Sequence, residues 1–387
     1  MINNRYLNIL VPGIFLPTCL GTVYNFSQYS KNIMELFDIT KFQTDIGFTL
    51  IIFFLGMYAT VFGRQVELNP KRMARVSTVL FALGMALMYV SLKFAVLPLY
   101  YVACSFMGAG TGIGYVSPIK QLMSNFSDHK GLSSGLAITG FGLGKFVAAP
   151  AIEYLLNTVS LHNMFLILGG AFFAIMSLCT WLFKPNPTFI PTKYTVVPIK
   201  DLFKSKLMTM EYVSIWMMFC INISCGLAII SQEKGLLSSL GFTQIALIMS
   251  ATAVANILGR FGMSTLSDRI GRKASYHWVC SIAVLASFLC FTNVSWLALV
   301  GILMIEFSYG GNFSSLPSLL SKRFGSSCVS TVHGATLSGW AMAGIFGPVL
   351  ANTIPGNNLY LVLAGLYIVG FTMMEIFVKR DNYNTIT

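Results

Sequence analysis

Residues 162–183 read HNMFLILGGAFFAIMSLCTWLF, a run of 22 residues that contains no Asp, Glu, Lys or Arg. A helix rises 1.5 Å per residue, so about 20 such residues cross a hydrocarbon core of roughly 30 Å. The next stretch, 184–208, reads KPNPTFIPTKYTVVPIKDLFKSKLM and carries four prolines and five lysines. It is too polar to span a membrane, and it therefore predicts a linker that follows a membrane-spanning helix.

Similar apolar blocks occur on both sides of this linker. Of the 387 residues, 55% are hydrophobic and only 10% are charged, against roughly 25% charged residues in a soluble domain. Six blocks precede the linker and six follow it. The predicted spans are 6–27, 43–62, 73–92, 97–119, 131–152, 162–183, 209–231, 242–264, 274–293, 296–319, 329–350 and 358–378.

The blocks are continuous apolar runs rather than alternating ten-residue segments. Because lipid leaves only helices and closed barrels to satisfy the backbone, the pattern indicates helices. We predict an all-α membrane protein with twelve transmembrane helices in two pseudo-symmetric six-helix bundles. Its parts are an N-terminal half (1–184), a cytoplasmic linker (185–208) and a C-terminal half (209–387). Gly135, Gly140 and Pro150 recur about 200 residues later as Gly334, Gly339 and Pro348, and repeated halves are typical of transporters.

The basic residues are distributed unevenly between the two sides of the predicted bundle. Nineteen of the 25 Lys and Arg residues lie in segments on the side of the amino terminus. The opposite side has only Lys31, Lys41, Lys93 and Lys234. The positive-inside rule therefore predicts that both termini are cytoplasmic, and the short loops favour a bacterial inner membrane. Basic residues spread over loops in this way do not form the single solvated face that nucleic acid requires.

Between the eighth and ninth blocks the sequence reads Leu266-Ser267-Asp268-Arg269-Ile270-Gly271-Arg272-Lys273. This segment resembles the loop signature of the major facilitator superfamily. The first-half copy, residues 63–72, departs from it with Glu67 in place of Asp and Asn-Pro in place of the later glycine. The resemblance implies the major facilitator fold. It also implies a cytoplasmic gate formed by Glu67, Arg72, Asp268 and Arg272.

Four further motifs carry a narrower resemblance. They are Gly21-Thr22-Val23-Tyr24-Asn25-Phe26-Ser27, Gly110-Thr111-Gly112-Ile113-Gly114-Tyr115 with Pro118, Lys130-Gly131-Leu132-Ser133-Ser134-Gly135, and Tyr309-Gly310-Gly311-Asn312-Phe313-Ser314 with Pro317. Together they resemble the oxalate/formate antiporter-like branch of monocarboxylate porters. The resemblance implies secondary active transport of a small mono- or dicarboxylate by alternating access, as an antiporter or a proton symporter. The expected partners are a small organic anion and the lipid bilayer, and we expect a monomer without a cofactor.

Arg260 and Lys145 are basic residues that lie inside apolar blocks. A charge in the hydrocarbon region costs at least about 2.5–3.5 kcal/mol, so it usually lines a cavity or pairs with another group. Arg260 shares one helical stripe with Asn256, and its planar guanidinium can bind a carboxylate with two hydrogen bonds. In the family that this chain resembles, the arginine at this position binds the substrate carboxylate. The alternative is an arginine that reaches back to Asp268 or to lipid headgroups.

Oxalate carriers of that family have a lysine in the eleventh helix, where this sequence has Trp340. Lys145 is a candidate for the missing second positive charge, because Phe141 is the repeat counterpart of Trp340 and Lys145 lies one turn beyond Phe141. The alternative is a lysine that extends to the outer membrane surface. Glu306, in the tenth block, either takes up a proton that couples transport or forms a permanent ion pair with Arg260 or Lys145.

Aromatic residues complete the predicted substrate site. We expect Tyr24, Tyr115, Phe141, Tyr309 and Trp340 to surround a small planar acid, because their rings pack its apolar part and the tyrosine hydroxyls and tryptophan indole offer donors. Tyr24 and Tyr309 match aromatic positions of the family's first and tenth helices.

Enzyme chemistry is not indicated. No nucleophile lies beside a plausible base, the four histidines have no metal-binding spacing, and there is no P-loop motif. We therefore predict neither an enzyme nor a metal site. Two alternatives to a carboxylate carrier remain: a carrier of a neutral or cationic solute such as a sugar, amine or drug, and a non-transporting membrane sensor.

Overall fold

A computed structural model describes residues 4–125, 130–184, 203–324 and 329–378. Within these ranges the regular structure is helical and no strand occurs. The helices are α1 (Asn4–Gly21), α2 (Phe26–Phe37), α3 (Lys41–Leu68), α4 (Pro70–Phe94), α5 (Leu97–Asn125), α6 (Lys130–Thr158), α7 (Leu161–Leu182), α8 (Met210–Ile230), α9 (Glu233–Ser239), α10 (Ile245–Ile270), α11 (Arg272–Phe291), α12 (Ser295–Phe324), α13 (Val329–Thr336), α14 (Ser338–Thr353) and α15 (Asn358–Phe377).

Eleven helical stretches in the described part of the chain are long and apolar enough to cross a membrane. The remaining predicted span, 97–119, corresponds to α5, which has 29 residues but contains several glycines and tyrosines that lower its hydropathy. These helices confirm the prediction of an all-α membrane protein. Because an even number of spans returns the chain to its starting side, α1 begins and α15 ends at one end of the bundle, which we call the terminal face. The opposite end is the distal face.

Local signals at the chain turns explain several helix boundaries. Thr40 begins α3 with a capping box, in which its hydroxyl accepts from the Gln43 amide and the Gln43 side chain accepts from the Thr40 amide. Asn69 caps α4 in front of Pro70 at the first helical position. Gly271 separates α10 from α11 with a φ of 93°, a backbone conformation that side-chain-bearing residues rarely adopt.

The structure departs from the prediction at the first and eleventh spans, and it contains one short helix that was not predicted. The first span does not end at residue 27: a 3₁₀ turn at Thr22–Asn25 leads into α2, which continues to Phe37. The polar residues after Phe26 do not stop the helix, because Gln28 donates to the Ala149 carbonyl at 3.1 Å. The eleventh span is interrupted at Leu337, and the short helix α9 occupies a predicted loop.

The helices before and after the linker pack in the same pattern. Helix α1 packs on α6 as α8 packs on α14, and α3 packs on α5 as α10 packs on α12. Likewise, α4 packs on α7 as α11 packs on α15. The predicted limits of the two halves remain a prediction, and residues 185–202 of the predicted linker lie outside the described residues.

Two seams join the first group of helices to the second. The charged seam is formed by α6 and α10, and the smooth seam is formed by α3 with α13 and α14. The two seams occupy equivalent places, since α6 is the fifth span and α14 the eleventh, while α3 is the second and α10 the eighth. The candidate site lies along the charged seam.

Candidate functional site

Lys145 lies in the middle of α6 and is 2% exposed. Its ammonium forms an ion pair with Glu233 Oε2 at 2.6 Å and a second one with the Glu306 carboxylate. The alternative that Lys145 extends to the membrane surface is therefore wrong, because two buried carboxylates hold it inside the bundle. Since both of its partners belong to the helices after the linker, Lys145 is an ionic link across the charged seam.

Glu306 lies on α12 and is 1% exposed. One of its oxygens binds Lys145, and the other accepts from Asn256 Nδ2 at 2.8 Å. Both oxygens are therefore satisfied by the protein, as a buried carboxylate requires. Of the two bases that the sequence offered as partners, Lys145 contacts Glu306 directly, and Arg260 connects to it through Asn256.

Glu233 was not predicted from the sequence, where it stands in the polar triplet Gln232-Glu233-Lys234 and resembles a solvated loop residue. In the structure it is fully buried at the start of α9, and Thr252 of α10 donates its hydroxyl to it. Burial raises the pKa of the Glu233 carboxyl above its ordinary value; Lys145 opposes that rise and Glu306 adds to it. No local sequence signal distinguishes this residue, since its partners lie on distant helices.

Arg260 lies on α10 and has no exposed surface. Its Nε donates to Asn256 Oδ1 at 2.7 Å, and Nη1 donates to the Ile138 carbonyl of α6 at 3.2 Å. The side chain therefore points across the charged seam rather than toward lipid headgroups. Asn256 joins Arg260 and Glu306, so the helical stripe predicted from the sequence forms one hydrogen-bonded chain.

The predicted aromatic residues come together beside Arg260. The hydroxyls of Tyr24 and Tyr309 are 2.7 Å apart and link the two groups of helices. Tyr24 also packs edge-on against Phe141 with ring centroids 5.3 Å apart. Tyr115 packs between Phe141 at 5.4 Å and Trp340 at 5.2 Å. All five rings are at most 2% exposed.

Phe313 of α12 is an additional member that the sequence analysis did not select. Its ring centroid lies 4.5 Å from that of Trp340 and 5.2 Å from that of Tyr309. The Arg260 guanidinium carbon lies 5.3 Å from the same ring centroid, within cation–π distance. Its position four residues after Tyr309 was a signal for the same helix face.

Three buried polar atoms in this aromatic cluster have no hydrogen-bond partner among the residues that the structure describes. They are Arg260 Nη2, Tyr115 Oη and Trp340 Nε1. The Tyr115 hydroxyl lies close enough to the Arg260 guanidinium to interact with it, and a small shift of either side chain would bring the two into hydrogen-bonding geometry, which neither atom satisfies here. Buried donors without partners cost about 1–3 kcal/mol each, so their grouping indicates a place for the oxygen atoms of a ligand.

Glycines allow the helix backbones to approach closely around this cluster. A Cβ atom at Gly310 would lie 2.1 Å from the Asn256 carbonyl oxygen, and one at Gly142 would lie 2.9 Å from the Ile257 side chain. Neither position has room for a larger residue. The glycines thus bring α12 and α6 against α10, and this close packing fixes the position of the α10 backbone from which the Arg260 side chain extends.

The predicted gate at the terminal face falls partly outside the described residues. The side chains of Glu67 and Asp268 are not described. Arg72 donates its backbone amide to Asn69 Oδ1 at 3.0 Å, and Arg272 Nη1 donates to Ser267 Oγ at 2.5 Å. The gate therefore remains a prediction.

Polar contacts across the seams close the bundle on both sides of the cluster. At the distal face, Lys41 donates to Gln232 Oε1 at 2.6 Å, and Lys234 donates to the Gln28 carbonyl at 2.8 Å. Toward the terminal face, Thr60 donates to the Gly334 carbonyl at 2.8 Å. The cluster around Arg260 is thus enclosed between two layers of contacts.

The sequence matches the family model of the Major Facilitator Superfamily over residues 10–348. It is 26% identical over 343 residues to the uncharacterized MFS-type transporter YhjX of Escherichia coli (strain K12), covering 87% of this chain and 85% of that protein. It is 23% identical to the oxalate:formate antiporter of Oxalobacter formigenes, covering 98% and 93%. It is 22% identical to the human monocarboxylate transporter 12, covering 71% and 60%.

Proposed function

The chain belongs to the major facilitator superfamily, and we propose that it is a secondary transporter of small carboxylates that works by alternating access of its halves, 1–184 and 209–387. The names of two relatives, an oxalate:formate antiporter and a monocarboxylate transporter, support this substrate class. At these identities the relatives alone do not select a substrate. The residues around Arg260 carry the proposal.

The observation that carries it is the group of three unpartnered donors around Arg260. Arg260 Nη2 would donate to one carboxylate oxygen, and its fixed positive charge would offset the charge of the anion. Tyr115 Oη and Trp340 Nε1 would donate to the remaining oxygens. The rings of Phe313 and Phe141 would pack the apolar part of a small acid, which agrees with the usual composition of a ligand site.

Charge balance favours a monocarboxylate over a dicarboxylate. The enclosed cluster contains two cations, Lys145 and Arg260, and two carboxylates, Glu233 and Glu306. When all four are ionised the cluster is neutral, so a monocarboxylate adds one net negative charge and a dicarboxylate adds two. Uncompensated charge in a buried site is costly. Lys145 is already held by two carboxylates, and we assign it to positioning them rather than to a second contact with the anion.

A proton bound by the carboxylate pair would restore neutrality when a monocarboxylate binds. One lysine, Lys145, faces two carboxylates and can neutralise only one of them. Glu233 is the favoured proton acceptor, because burial raises the pKa of its carboxyl. Around Glu233 stand Lys145 of α6, Thr252 of α10, Glu306 of α12 and the neighbouring Lys234. We therefore favour symport of one proton with one monocarboxylate. Exchange of two anions of equal charge would leave the charge of the cluster unchanged without a proton.

The orientation in the membrane follows the distribution of charge. We assign the terminal face to the cytoplasm, because the positive-inside rule places the basic segments there. The protein would then take up or release its substrate at the distal face, and the linker 185–208 would lie in the cytoplasm. Reaction of a membrane-impermeant thiol reagent with cysteines introduced singly at exposed positions 38 and 75 tests the two sides.

The central experiment is uptake of labelled oxalate, formate, pyruvate, lactate and one neutral sugar into proteoliposomes. We expect monocarboxylate uptake that Arg260→Gln reduces at least about 100-fold, since loss of one member of a buried charge pair costs 2–5 kcal/mol. Arg75→Gln, which removes an exposed arginine, is the matched control. Uptake of the sugar alone, or acid uptake that survives Arg260→Gln, would contradict the proposal.

Two conservative variants test the other donors. Trp340→Phe and Tyr115→Phe keep the rings but remove the polar atoms, and each should raise KM about ten- to hundredfold, the usual effect of one hydrogen bond to a charged group. Phe141→Leu serves as a comparison, because it removes a ring without a donor. A raised KM in that variant alone would assign the rings to packing instead of carboxylate binding.

A further inference from the structure

A cavity lies at the distal face, and none of the predicted site residues lines it. It has a volume of about 480 Å³ and lies between α2, the start of α3 and α9. Three lysines line it, Lys31, Lys41 and Lys234, together with five hydroxyl-bearing side chains. None of its twelve described lining residues is acidic. The cavity is large enough for a small organic acid with several water molecules.

The grouping of these lysines is unusual for the distal side of the protein. Only four basic residues belong to the distal side according to the sequence, and three of them line this one cavity. The fourth, Lys93, is exposed elsewhere and donates to the Tyr89 hydroxyl at 3.1 Å. The positive-inside rule depletes this side of basic residues, so general surface charge does not account for the grouping.

The lysines of the cavity are incompletely neutralised. Lys41 and Lys234 each donate to a neutral oxygen, that of the Gln232 amide and that of the Gln28 carbonyl. Lys31 contacts Glu35 at 3.6 Å, and both side chains are largely exposed.

Burial lowers the pKa of Lys234 below its ordinary value. The Glu153 carboxylate opposes this decrease, and the positive charge of Lys31 adds to it. Lys31 and Lys234 thus repel one another, whereas Lys41 is also within electrostatic range of Asp45. An anion between Lys31 and Lys234 would relieve their repulsion.

The cavity also adjoins the enclosed cluster and the contacts that close it. Lys234 follows Glu233, the partner of Lys145, and Ser27 of the cavity wall lies one helical turn from Tyr24. Lys41 and Lys234 are themselves the donors that connect the two groups of helices at the distal face. An anion that binds both ammonium groups would compete with these two contacts.

We propose that this cavity is a second binding site for a small organic anion. The anion occupies it at the distal face before it reaches Arg260. The inference rests on the proposed function for the identity of the anion, whereas binding in the cavity is tested without transport. Occupation of the site withdraws Lys41 and Lys234 from the closing contacts, so the anion itself favours opening of the distal face.

The test is the rate at which the lysines react with an amine-acylating reagent in the purified full-length protein, followed by mass spectrometry. At lactate ten times above its dissociation constant, acylation of Lys31, Lys41 and Lys234 should slow about tenfold. Lys93 should react at an unchanged rate. Lactamide, the neutral amide, and chloride at equal ionic strength are the controls.

Each outcome decides between specific alternatives. Equal protection by chloride would mean ionic screening only and would overturn the proposal, as would the absence of protection. Protection that disappears in Arg260→Gln would mean that the central cluster acts on the lysines from a distance, which also overturns it. Protection that persists in Arg260→Gln supports the cavity site, even where carboxylate uptake is absent and the proposed function has failed.

A kinetic measurement complements the labelling. A triple variant combines Lys31→Gln, Lys41→Gln and Lys234→Gln. It should raise KM for carboxylate uptake about tenfold and weaken the dependence of KM on ionic strength, because the electrostatic attraction of anions to the cavity is lost. Lys31→Gln alone, at an exposed position, should give a smaller change in the same direction without a folding defect. Lys93→Gln is the matched control, and an equal effect of that substitution would refute a local site.

Discussion

The two seams occupy equivalent places in the bundle but differ in chemistry. The charged seam between α6 and α10 contains Lys145 and Arg260. Lys145 forms ion pairs with Glu233 of α9 and Glu306 of α12, and Arg260 donates to the Ile138 carbonyl across the seam.

The smooth seam between α3 and α14 brings backbone against backbone: a Cβ at Gly56 would lie 2.4 Å from the Ala341 amide nitrogen. The repeat thus supplies two similar interfaces. One is dominated by buried charges, and the other by close backbone contact with two hydrogen bonds, from Thr60 to the Gly334 carbonyl and from Asn352 to the Asp45 carboxylate.

The difference suggests how the two seams would share the work of alternating access. Small-residue contacts contain no charges that must be separated, so helices can shift along them at low cost. Movement at the charged seam has to break or rearrange the contacts of Lys145 with Glu233 and Glu306. The charged seam is therefore the natural place for ligand and proton to control movement, and the following predictions test this division.

The largest expected effect is on stability at the charged seam. Lys145→Met leaves Glu233 and Glu306 buried without a cation, which should lower the free energy of unfolding by about 3–5 kcal/mol. Combining it with Glu233→Gln should recover part of that loss, since the cluster is then left with Arg260 and Glu306, whose charges balance. Unfolding of the purified protein in mixed micelles measures both. A single variant as stable as the wild type would show that Lys145 does not neutralise the pair.

The smooth seam should respond to volume instead of charge. Gly56→Ala should lower the free energy of unfolding by about 1–3 kcal/mol and slow uptake, because the added methyl meets the backbone of α14. Gly365→Ala, on α15 with no atom within 4 Å of its Cβ, should be neutral or slightly stabilising. The same micelle unfolding assay compares them. Equal effects of the two substitutions would mean that close backbone contact at Gly56 is unimportant.

Proton dependence should localise to the charged seam. Because the pKa of Glu233 is raised by burial, its carboxyl stays protonated to a higher pH than an ordinary one. Uptake of a monocarboxylate should therefore rise as the pH falls toward that raised value and decline above it. Glu233→Gln should reduce the ratio of uptake at pH 5.5 to that at pH 8 from about tenfold toward one.

Asp38→Asn is the control for this pH profile. Asp38 is exposed at the end of α2 and has a φ of 51°, which asparagine also tolerates. Its substitution should leave the pH dependence intact. A wild-type profile that is flat, or that persists unchanged in Glu233→Gln, would remove the proton from this seam and favour anion exchange.

The smallest expected effect concerns the hydroxyl pair that joins the halves beside the site. Tyr24→Phe and Tyr309→Phe should each raise KM about fivefold, which corresponds to about 1 kcal/mol for one hydrogen bond. Since both substitutions break the same contact, the double variant should resemble either single one. Additive effects in the uptake assay would show that each hydroxyl contacts the substrate separately.

The sequence predicted most of the fold because membrane insertion depends on a local property. A run of about 20 apolar residues satisfies lipid by itself, so the twelve blocks were visible without knowledge of their neighbours. The same reasoning failed where tertiary contacts replace apolarity: α2 continues beyond the predicted end, and its buried Gln28 faces α6, where it donates to the Ala149 carbonyl. The break at Leu337 likewise left no mark in the hydropathy.

The sequence predicted those contacts of the site that join residues three or four positions apart on one helix. Asn256 and Arg260 are four residues apart, and their hydrogen bond follows from the helix alone. Tyr309 and Phe313 share a face for the same reason. The five predicted rings came together around Arg260, although their polar atoms without partners were recognisable only from the arrangement of several helices.

What the sequence determined by itself is therefore the set of membrane-spanning helices, the asymmetric distribution of lysine and arginine, and the presence of Lys145, Arg260 and Glu306 inside apolar blocks. The tertiary structure decided what those charges do. Lys145 and Glu306 are 161 residues apart, and Glu233 joins them from a helix that hydropathy did not indicate. Ion pairs between distant segments depend on how whole helices dock, and no periodicity along one segment records the charge that will face it from another.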